Sequence, residues 1–552
     1  MTEQEYLQRL HELEKQVLRL QTELKKNSET QYGLRWMDVP EAFEAEAENA
    51  IPTLEEVPGK AISNDDGKPT HILIEGDNFH ALTCLNYTHK GTIDVIYIDP
   101  PYNTGNEGWV YNDNVNDPKI KKWLGEVVGK EGEDLSRHDK WLCMMYPRLK
   151  LLQKLLSDEG AIFISIDDTE VSNLRLVCDE IFGISNFYGD VIWQHSVQSN
   201  GYGGKFVSQY NHTLVYAKSK AFLLGNLPRS DEDNKLYKNP DNDPRGSWRA
   251  GYCVNGLYRP NLKYAINTPS GKIIQPPEKG WRWSWETMRS KMDDGEIIFN
   301  SDETKIIHKL YLKDLNGKVP ENIWNNGVAG TTRQATAELK LIFNGNAPFD
   351  TPKPVALIER IIQISTEKNS IILDSFAGSG TTAHSVLNMN KADGGNRKFI
   401  LVEMMDYADS ITAERVKRVI DGYGEGKNTV EGTGGDFTFY DLGQVLLLPN
   451  GNLNEEVDAD KIREYIWYTE TKTPFVTVAT DNPYYLGKHN DTGYYFYYEK
   501  DRLTTLNYEW LSTLAEKTES YLIYADLCTI SDDELKKYNI TFKKIPRDIA
   551  RL

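Results

Sequence analysis

Short apolar runs alternate with helical patterns in two parts of the chain. Between about residues 70 and 220, five apolar, β-branched runs end in polar or turn residues: HILIEGD, TIDVIYIDPPY, GAIFISIDD, YGDVIWQ and HTLVYAK. Helical stretches such as WLCMMYPRLKLLQKLL and EVSNLRLVCDEIF lie between them. Apolar strands alternating with helices are typical of a largely parallel sheet that is buried on both faces. The pattern therefore predicts an α/β fold.

The alternation stops near residue 221 and resumes near residue 352. In between, Gly, Pro, Asn and Trp become frequent and helical periodicity fades, so short strands and loops are expected. From 352 to 420 helices and strands alternate again around a glycine loop, and a Tyr-rich final segment follows. We therefore predict one α/β domain formed by residues 31–220 and 346–440, with residues 221–345 as its insertion. Residues 1–30 form a terminal helix, and residues 441–552 form a small α+β domain.

The N-terminal segment has the spacing of a coiled-coil helix. Its apolar positions are alternately four and three residues apart: Tyr6, Leu10, Leu13, Val17, Leu20 and Leu24. This pattern fits a helix that packs on its own globular body as well as one that joins a second copy or a partner subunit. The repeat is too short to hold a complex together by itself.

Composition limits the class of protein. Of 552 residues, 39% are hydrophobic and 26% charged, which is ordinary for a folded chain of several packed units. No apolar run approaches the roughly 18 residues of a membrane span. The N-terminus also lacks the apolar core of a signal peptide. Five cysteines without a CxxC pair argue against a disulfide framework or zinc site and indicate a cytoplasmic protein.

The charge of the whole chain differs from that of one segment. The net charge of −19 argues against a nucleic-acid partner. Residues 244–291, however, contain nine basic residues against two acidic ones, with Trp and Tyr interspersed. Such a composition is expected of a DNA-reading region, although alternating Trp281, Trp283 and Trp285 would also fit a small core. The expected DNA contacts are Lys205, Arg245, Arg249, Arg259, Lys263, Arg282 and Arg289.

The first cluster with chemical potential directly follows the apolar run 93–98. Asp99-Pro100-Pro101-Tyr102 combines a carboxylate, two residues without amide donors and an aromatic ring. Ligands of open α/β sheets bind at the carboxyl ends of strands, and consecutive prolines leave carbonyls as acceptors. The set can hold a planar amino-heterocycle, with acceptors on its exocyclic amine and a ring on its face. The alternative is a plain turn after a strand.

A second cluster, Asp374-Ser375-Phe376-Ala377-Gly378-Ser379-Gly380, follows another apolar run and opens a helix. Its glycines permit a tight turn and close approach of a ligand to the backbone. Glu403 ends the next predicted strand, where an acidic residue binds ribose hydroxyls. Alone, the cluster is a generic nucleoside site that also fits the nicotinamide or flavin fingerprint. Asp77, after a further strand, is either a third ligand or a helix N-cap.

The pairing of D-P-P-Y with a later F-x-G-x-G loop resembles the S-adenosylmethionine-dependent amino-methyltransferases of DNA. The motif order, with an insertion between the motifs, resembles their β class, whose Rossmann-like domain is circularly permuted. DPPYNTG, LYRPNLKYAINTPSGKIIQPPEKGWRWSWETM and FDTPKPVALIERII are similar to the modification subunits of type III restriction–modification systems. The resemblance covers roughly residues 70–440.

The resemblance implies a role for each matching residue. Asp99 and the Pro100 carbonyl would hold the exocyclic amine, Pro101 completes the motif, and Tyr102 would stack on the flipped base. The insertion 221–345 would recognise double-stranded DNA. The S-adenosylmethionine site would comprise Asp77, Thr351, Lys353, Pro354, Asp374, Phe376, Gly378, Gly380 and Glu403.

The expected reaction is methylation of adenine N6 in duplex DNA. Asp at the first motif position favours adenine over cytosine N4 by family usage, and cytosine N4 stays an alternative. The resemblance also implies a homodimer and a restriction subunit with helicase and nuclease activity. Because the chain has no GxxxxGK[ST] loop, any cleavage must come from such a separate polypeptide. A recognition scaffold for that subunit is a second alternative. A nicotinamide dehydrogenase would leave D-P-P-Y and the basic insertion without a purpose.

Overall fold

The structure, a computed structural model, describes residues 52–64, 70–104, 136–198, 206–448, 451–471, 473, 475–478, 482–514 and 516–547. The expected N-terminal helix 1–30 and Lys205 lie outside these residues. The described chain forms two compact units. The smaller is Leu224–Glu321, and the larger contains the residues before and after it. Residues 322–345, which we had grouped with the insertion, thus belong to the larger unit.

The larger unit is built on a ten-stranded mixed sheet. In chain order its strands are β1 (Pro52–Glu56), β2 (Thr70–Glu75), β3 (Ile93–Ile98), β4 (Leu156–Ile166), β5 (Phe187–Trp193), β6 (Asn211–Ala217), β7 (Ile323–Trp324), β8 (Ile371–Asp374), β9 (Lys398–Glu403) and β10 (Asp436–Val445). Their order across the sheet is β1-β10-β2-β9-β8-β3-β4-β6-β5-β7.

The centre of this sheet is parallel, as the apolar runs predict. Strands β10, β2, β9, β8, β3 and β4 all run in one direction. Strand β6 is antiparallel to both β4 and β5, and β1 is antiparallel to β10. Every residue of β3 except Asp94 is buried. A strand covered on both faces needs such a continuous apolar run, whereas a half-exposed strand would alternate.

Within the described residues, eight α-helices connect the strands of the sheet. They are α1 (Asn78–Thr88), α2 (Ser136–Leu155), α3 (Val171–Cys178), α4 (Asn326–Ala329), α5 (Thr332–Ile342), α6 (Val355–Ser365), α7 (Thr381–Asp393) and α8 (Glu414–Asp421). Residues of α1, α2, α3 and the central strands form one hydrophobic core, with Trp141 and Leu149 fully buried. None of the described helices is long and apolar enough to cross a membrane.

The C-terminal part carries a second sheet within the same unit. Its four strands, Tyr485–His489, Thr492–Phe496, Ser520–Ala525 and Ile540–Lys544, lie in chain order across the sheet, and the last three are parallel. Three helices accompany them: Ala459–Thr471, Tyr508–Leu511 and Asp532–Lys537. Tyr87 of α1 makes edge contacts with Tyr465 and Tyr468 of the first helix. Strand β10 continues across the boundary that we had placed at residue 441.

The smaller unit consists mainly of short elements, as its composition predicts. Its three-stranded antiparallel sheet has the order Ile297–Phe299, Ile306–Tyr311, Trp248–Gly251. Ile266–Asn267 pairs with Ile273–Ile274, and the helices are Asp231–Asn234 and Trp285–Asp293. Further two-residue strands in the larger unit pair Gly422–Tyr423 with Val430–Glu431 and Thr505–Leu506 with Leu527–Cys528.

Candidate active site

Two motif loops meet in one cavity at the carboxyl ends of neighbouring strands. Strands β3 and β8 pair in parallel, with Val95 opposite Ile372, so the residues that follow them emerge at the same sheet edge. The cavity has a volume of about 360 Å³. Its lining includes Asp99, Pro100, Pro101, Tyr102, Thr351, Lys353, Asp374, Phe376, Gly378 and Glu403. The cavity therefore brings together most of the residues predicted in the D-P-P-Y motif, the TPKP stretch and the glycine loop.

The carboxylate of Asp99 has two different surroundings. Its Oδ2 forms an ion pair with Lys353 Nζ, and both side chains are mostly buried. Its Oδ1 is buried and accepts no hydrogen bond from the described residues. A buried carboxylate oxygen without a donor is unfavourable, so it favours a ligand that brings an N–H group. Asp99 Oδ1 is thus a buried acceptor that no described donor satisfies.

The two prolines of the motif are not equivalent acceptors. The Pro101 carbonyl accepts a hydrogen bond of 2.7 Å from Trp141 Nε1. This pairing corrects the expectation that both carbonyls would be free acceptors. Pro100 lines the cavity beside Asp99.

Tyr102 presents a neutral aromatic ring. Burial, and secondarily the Asp99 charge, raises the pKa of Tyr102 well above its ordinary value. Asn211 Nδ2 lies 3.5 Å from the phenol oxygen, and Lys353 Nζ lies 5.2 Å from the ring centroid. The Tyr102 ring and the Asp99 carboxylate therefore share the Lys353 ammonium as a neighbouring cation.

A buried polar cluster holds the residue after the motif. Asn103 adopts a left-handed conformation with φ of 60°, and its side-chain amide donates to Glu170 Oε1. The Glu170 carboxylate also binds His138 Nδ1 at 2.6 Å and Asn173 Nδ2 at 2.8 Å. Sequence reasoning missed Glu170 because it lies far along the chain from Asn103 and belongs to no local motif. This cluster fixes the direction in which the chain leaves Tyr102.

The glycine loop is fixed by Asp374 at its start. The buried carboxylate accepts hydrogen bonds from Phe376 N at 3.1 Å and Thr382 Oγ1 at 2.5 Å. Burial raises the pKa of Asp374 to about 7. Gly380, with φ of 77°, is the N-cap of α7, and a Cβ there would lie 3.2 Å from the Thr412 carbonyl oxygen. Glycine is therefore required at this close approach.

Glu403 lines the cavity beside the glycine loop. Its Oε2 accepts from Gly378 N at 2.7 Å, and its Oε1 accepts from Met404 N and Met405 N at 2.9 and 3.0 Å. Burial raises the pKa of Glu403. These backbone donors hold the carboxylate at the carboxyl end of β9, where it faces the cavity.

Of the three residues predicted in the TPKP stretch, two line the cavity. Thr351 and Lys353 face it, whereas Pro354 serves as the N-cap of α6. The Thr381 hydroxyl donates to the Lys353 carbonyl at 3.1 Å, which ties this stretch to the glycine loop.

Asp77 does not line the cavity. Its side chain caps α1 by accepting from Phe79 N and His80 N, the alternative that the sequence left open. Burial would raise the pKa of Asp77, but the Arg148 charge at 3.0 Å and His80 lower it below the ordinary value. The next residue, Asn78, does line the cavity and donates to the Ser375 carbonyl at 3.1 Å. Asn78 was missed because the acid beside it fits the expected pattern better.

The charges of the cavity are unequal. Its described lining contains four carboxylates, those of Asp99, Asp350, Asp374 and Glu403, and one cationic side chain, that of Lys353. The described residues contain no group of His, Cys, Asp or Glu that could hold a metal ion. This charge distribution suits a ligand that carries positive charge and a single carboxylate.

The predicted DNA contacts of the smaller unit differ in how they are paired with acidic residues. Arg245 is engaged internally: it pairs with Asp243 at 2.9 Å and donates to the carbonyls of Asp294 and Gly295. Arg289 has a long pairing of 3.9 Å with Asp293. Four exposed side chains form no ion pair with an acidic residue of the described chain: Arg249, Arg259, Lys263 and Arg282.

The tryptophans of this unit separate in the same way. Trp281 is buried in the unit's small core and Trp283 packs against it, which corrects their interpretation as DNA-facing surfaces. Trp285 starts a helix and is 42% exposed. Alternation along the sequence could not distinguish a core from a binding face.

Comparisons with known proteins agree with this arrangement. Residues 93–414 match the family model N6_N4_Mtase, described as DNA methylase. The chain is 36% identical over 387 residues to the StyLTI Mod subunit of a type III restriction-modification enzyme from Salmonella typhimurium, covering 64% of this chain and 58% of that protein. It is 32% identical over 406 residues to the EcoP15I Mod subunit from Escherichia coli, covering 64% and 61%.

A shorter relative is matched over most of its length. The type II methyltransferase M.KpnI from Klebsiella pneumoniae is 34% identical over 372 residues, covering 62% of this chain and 82% of that protein. The match to the two Mod subunits spans only about three fifths of their length.

Proposed function

Because the chain belongs to the DNA methylase family, we propose that it transfers a methyl group from S-adenosylmethionine to adenine N6 of a base flipped out of duplex DNA. The observation that carries this proposal is the meeting of Asp99 and the glycine loop in one cavity. Cytosine N4 is the alternative acceptor within the same family. A nicotinamide enzyme would use the glycine loop but would leave the unpaired oxygen of Asp99 without a role.

The cavity suits the donor chemically. Its acidic lining favours the positive sulfur and ammonium of S-adenosylmethionine, and Lys353 can pair with the donor carboxylate. When bound, the donor supplies a methyl group attached to a positively charged sulfur. We assign Glu403 to the ribose hydroxyls of the donor, and Thr351 and Lys353 to its methionine end. Asn78 replaces Asp77 in the predicted set, because Asn78 lines the cavity and Asp77 does not. Asp374, Phe376, Gly378 and Gly380 form the donor loop, and Pro354 sets the start of α6.

Asp99 and the Pro100 carbonyl would accept the two amine protons of the target base, while Tyr102 stacks on the base. The adenine amine is a weak nucleophile because its lone pair is delocalised into the ring. Two acceptors localise that lone pair and orient it, which is catalysis by position and electrostatics. A nitrogen–carbon bond forms as the carbon–sulfur bond breaks, and the methylated nitrogen releases a proton to solvent. Asp99 therefore need not be a strong base.

The proposal extends to how DNA is held. A base within a duplex cannot reach this cavity, so flipping is required. Residues 224–321 would recognise the DNA sequence, with Arg249, Arg259, Lys263 and Arg282 as phosphate or base contacts. We place the motif halves in the circularly permuted order of the β class, because β3 precedes β8 along the chain.

Partners are part of the same proposal. The Mod subunits to which the chain is similar are named as parts of restriction-modification enzymes. We infer a cytoplasmic homodimer that also serves a helicase–nuclease restriction subunit, with residues 1–30 and 441–552 as contact segments. Long-read sequencing of DNA from expressing cells would show the base and the sequence that are methylated.

The direct test is transfer of a tritiated methyl group to mixed genomic DNA. Asp99→Ala should lower the rate by at least about a hundredfold, since removal of one preorganised transition-state contact has effects of this size. Asp158→Ala, at an exposed acid outside the cavity, is the matched control. Unchanged transfer by Asp99→Ala, or thermal stabilisation by NAD and not by S-adenosylmethionine, would refute the proposal.

A further inference from the structure

Lys353 occupies the place that the target base would take. Its ammonium contacts Asp99 Oδ2, and it lies 5.2 Å from the centroid of the Tyr102 ring. These are the carboxylate that would receive the amine and the ring that would stack on the base. The Lys353 side chain is only 11% exposed, so the ammonium is enclosed with these two groups. A base cannot use Asp99 Oδ2 until this ammonium moves away.

The same lysine is the cavity's one counter-charge for a carboxylate. All other charged side chains in the described lining are acids: Asp99, Asp350, Asp374 and Glu403. A donor with an α-carboxylate in this cavity therefore has Lys353 as its cationic partner. An ammonium has three N–H donors, and Lys309 Nζ pairs with both Asp241 and Asp243. Lys353 therefore has to leave Asp99 only for a donor carboxylate that lies too far from Asp99 to share its ammonium.

The backbone of Lys353 is held in place at the base of a long side chain with several rotatable bonds. The Thr381 hydroxyl holds the Lys353 carbonyl at 3.1 Å, and α6 begins two residues later at Val355. The four-carbon stem above this anchor rotates about several bonds. The Thr381 hydroxyl, which binds the Lys353 backbone, follows the glycine loop, and the Lys353 ammonium contacts Asp99 of the D-P-P-Y motif. One residue thus connects the two halves of the cavity.

We propose that Lys353 is a positioning residue that couples donor binding to base access. Without donor, its ammonium covers Asp99 and the face of Tyr102. With donor bound, the ammonium pairs with the donor carboxylate and leaves Asp99 open to the amine. This inference rests on the proposed function and adds an order of binding to it: the donor site fills first, and the base follows.

The test measures base extrusion and does not depend on turnover. A duplex carries 2-aminopurine at the methylated position that sequencing identifies, and its fluorescence rises when that base leaves the stack. Two ligands are compared on the wild-type protein at saturation: S-adenosylhomocysteine, which has the α-carboxylate, and 5′-methylthioadenosine, which lacks it. S-adenosylhomocysteine should raise the extruded fraction at least about fivefold more than 5′-methylthioadenosine, a modest size for coupling between two sites. Equal effects of the two ligands would overturn the inference.

A pair of variants tests the lysine itself. Lys353→Met keeps the stem but removes the charge, so extrusion should become equal with and without S-adenosylhomocysteine. Lys368→Met, at an exposed lysine whose Nζ donates to the Asp393 carbonyl at 2.6 Å, should retain the wild-type dependence. An unaltered dependence in folded Lys353→Met would overturn the inference. The ligand comparison on wild-type protein decides the question if that variant does not fold.

The outcome is separable from that of the proposed function. If wild-type protein neither binds S-adenosylhomocysteine nor methylates DNA, the proposed function fails, and the inference fails with it. If it does both but extrusion is indifferent to the ligand carboxylate, only the role of Lys353 is wrong.

Discussion

The buried guanidinium of Arg415 donates a hydrogen bond from Nη1 to the hydroxyl oxygen of Thr381 at 2.9 Å. The same nitrogen reaches the hydroxyl and the carbonyl of Ser379 at 3.0 and 3.3 Å, and Nη2 reaches His384 Nδ1 at 3.2 Å. Burial lowers the pKa of Arg415 to about 10, so the group stays charged near neutral pH. A single cation from α8 therefore holds the turn in which the glycine loop becomes α7.

Arg415→Met should loosen this turn. The buried hydroxyls of Ser379 and Thr381 would lose a charged donor, so we expect a loss of about 2–4 kcal/mol in the free energy of unfolding. The affinity for S-adenosylmethionine should fall at least about tenfold, because the donor loop is no longer held in place. Denaturant unfolding and calorimetric titration measure the two effects.

Arg418→Met is the control in the same helix. Arg418 pairs with Glu414 at 2.7 Å but is partly exposed, so its loss should lower stability by about 1 kcal/mol or less and leave donor affinity unchanged. Equal losses of donor affinity in the two variants would contradict the role of Arg415.

Asp374 predicts a pH dependence of stability. Its folded pKa of about 7 lies above the ordinary value of 3.8, so the folded protein keeps a proton that the unfolded chain has lost. The stability from this group is full below the ordinary pKa and is lost as the pH rises through about 7, up to about 4 kcal/mol in total. Asp374→Asn removes the titration and keeps a side-chain carbonyl as an acceptor. Its stability relative to wild type should therefore rise between pH 5 and 8 in urea unfolding, and a constant difference would disprove the assignment.

Gly380→Ala should affect both folding and donor binding. The residue has φ of 77°, and an added Cβ would lie 3.2 Å from the Thr412 carbonyl oxygen. We expect a destabilisation of about 2–3 kcal/mol and weaker binding of S-adenosylmethionine. Gly394→Ala is matched, since Gly394 has φ of 67° at the other end of α7 but no atom within 4 Å of an added Cβ. It should cost about 1 kcal/mol and leave binding intact; similar binding losses at both positions would mean that strain alone is responsible.

The basic residues of the smaller unit should separate by function. Arg282 is exposed, and the described chain offers it no acidic partner, so Arg282→Ala should weaken DNA binding and reduce the salt slope of affinity by about 1 without changing stability. Lys235→Ala, at an exposed lysine beside Glu232, should leave both properties unchanged. Filter binding at several salt concentrations measures the slope.

Arg245→Ala should behave in the opposite way. Its loss removes an ion-pair partner from Asp243, whose side chain is only 3% exposed, so the midpoint of thermal unfolding should fall. The slope of log DNA affinity against log salt concentration should stay the same. A changed salt slope at unchanged stability would show that Arg245 contacts DNA.

Local pattern was sufficient for the central strands and for both motif loops. A strand buried on both faces needs a continuous apolar run, and the end of such a run places Asp99 and Asp374 at one sheet edge. The similarity to DNA methylases confirms the family that these motifs indicated. Residue roles within the cavity stay predictions, to be decided by the substitutions above.

Pairings over long sequence separations could not be predicted. The ion pair of Lys353 with Asp99 and the hydrogen bond of Asn103 with Glu170 join residues that no periodicity relates. Asp77 and Trp281 show a second limit, because a cap and a ligand, or a core and a binding face, share the same residue types. Only the neighbours that folding brings together distinguish these cases.

The separation of Asp99 from Lys353 along the chain has a consequence for synthesis. The acceptor motif leaves the ribosome well before the glycine loop and Glu403, with the whole of residues 224–321 made in between. Up to that point a nascent chain carries the D-P-P-Y motif without the glycine loop and Glu403. Under the proposed function, no nascent chain can join the acceptor motif to a donor site before it has been translated past β9.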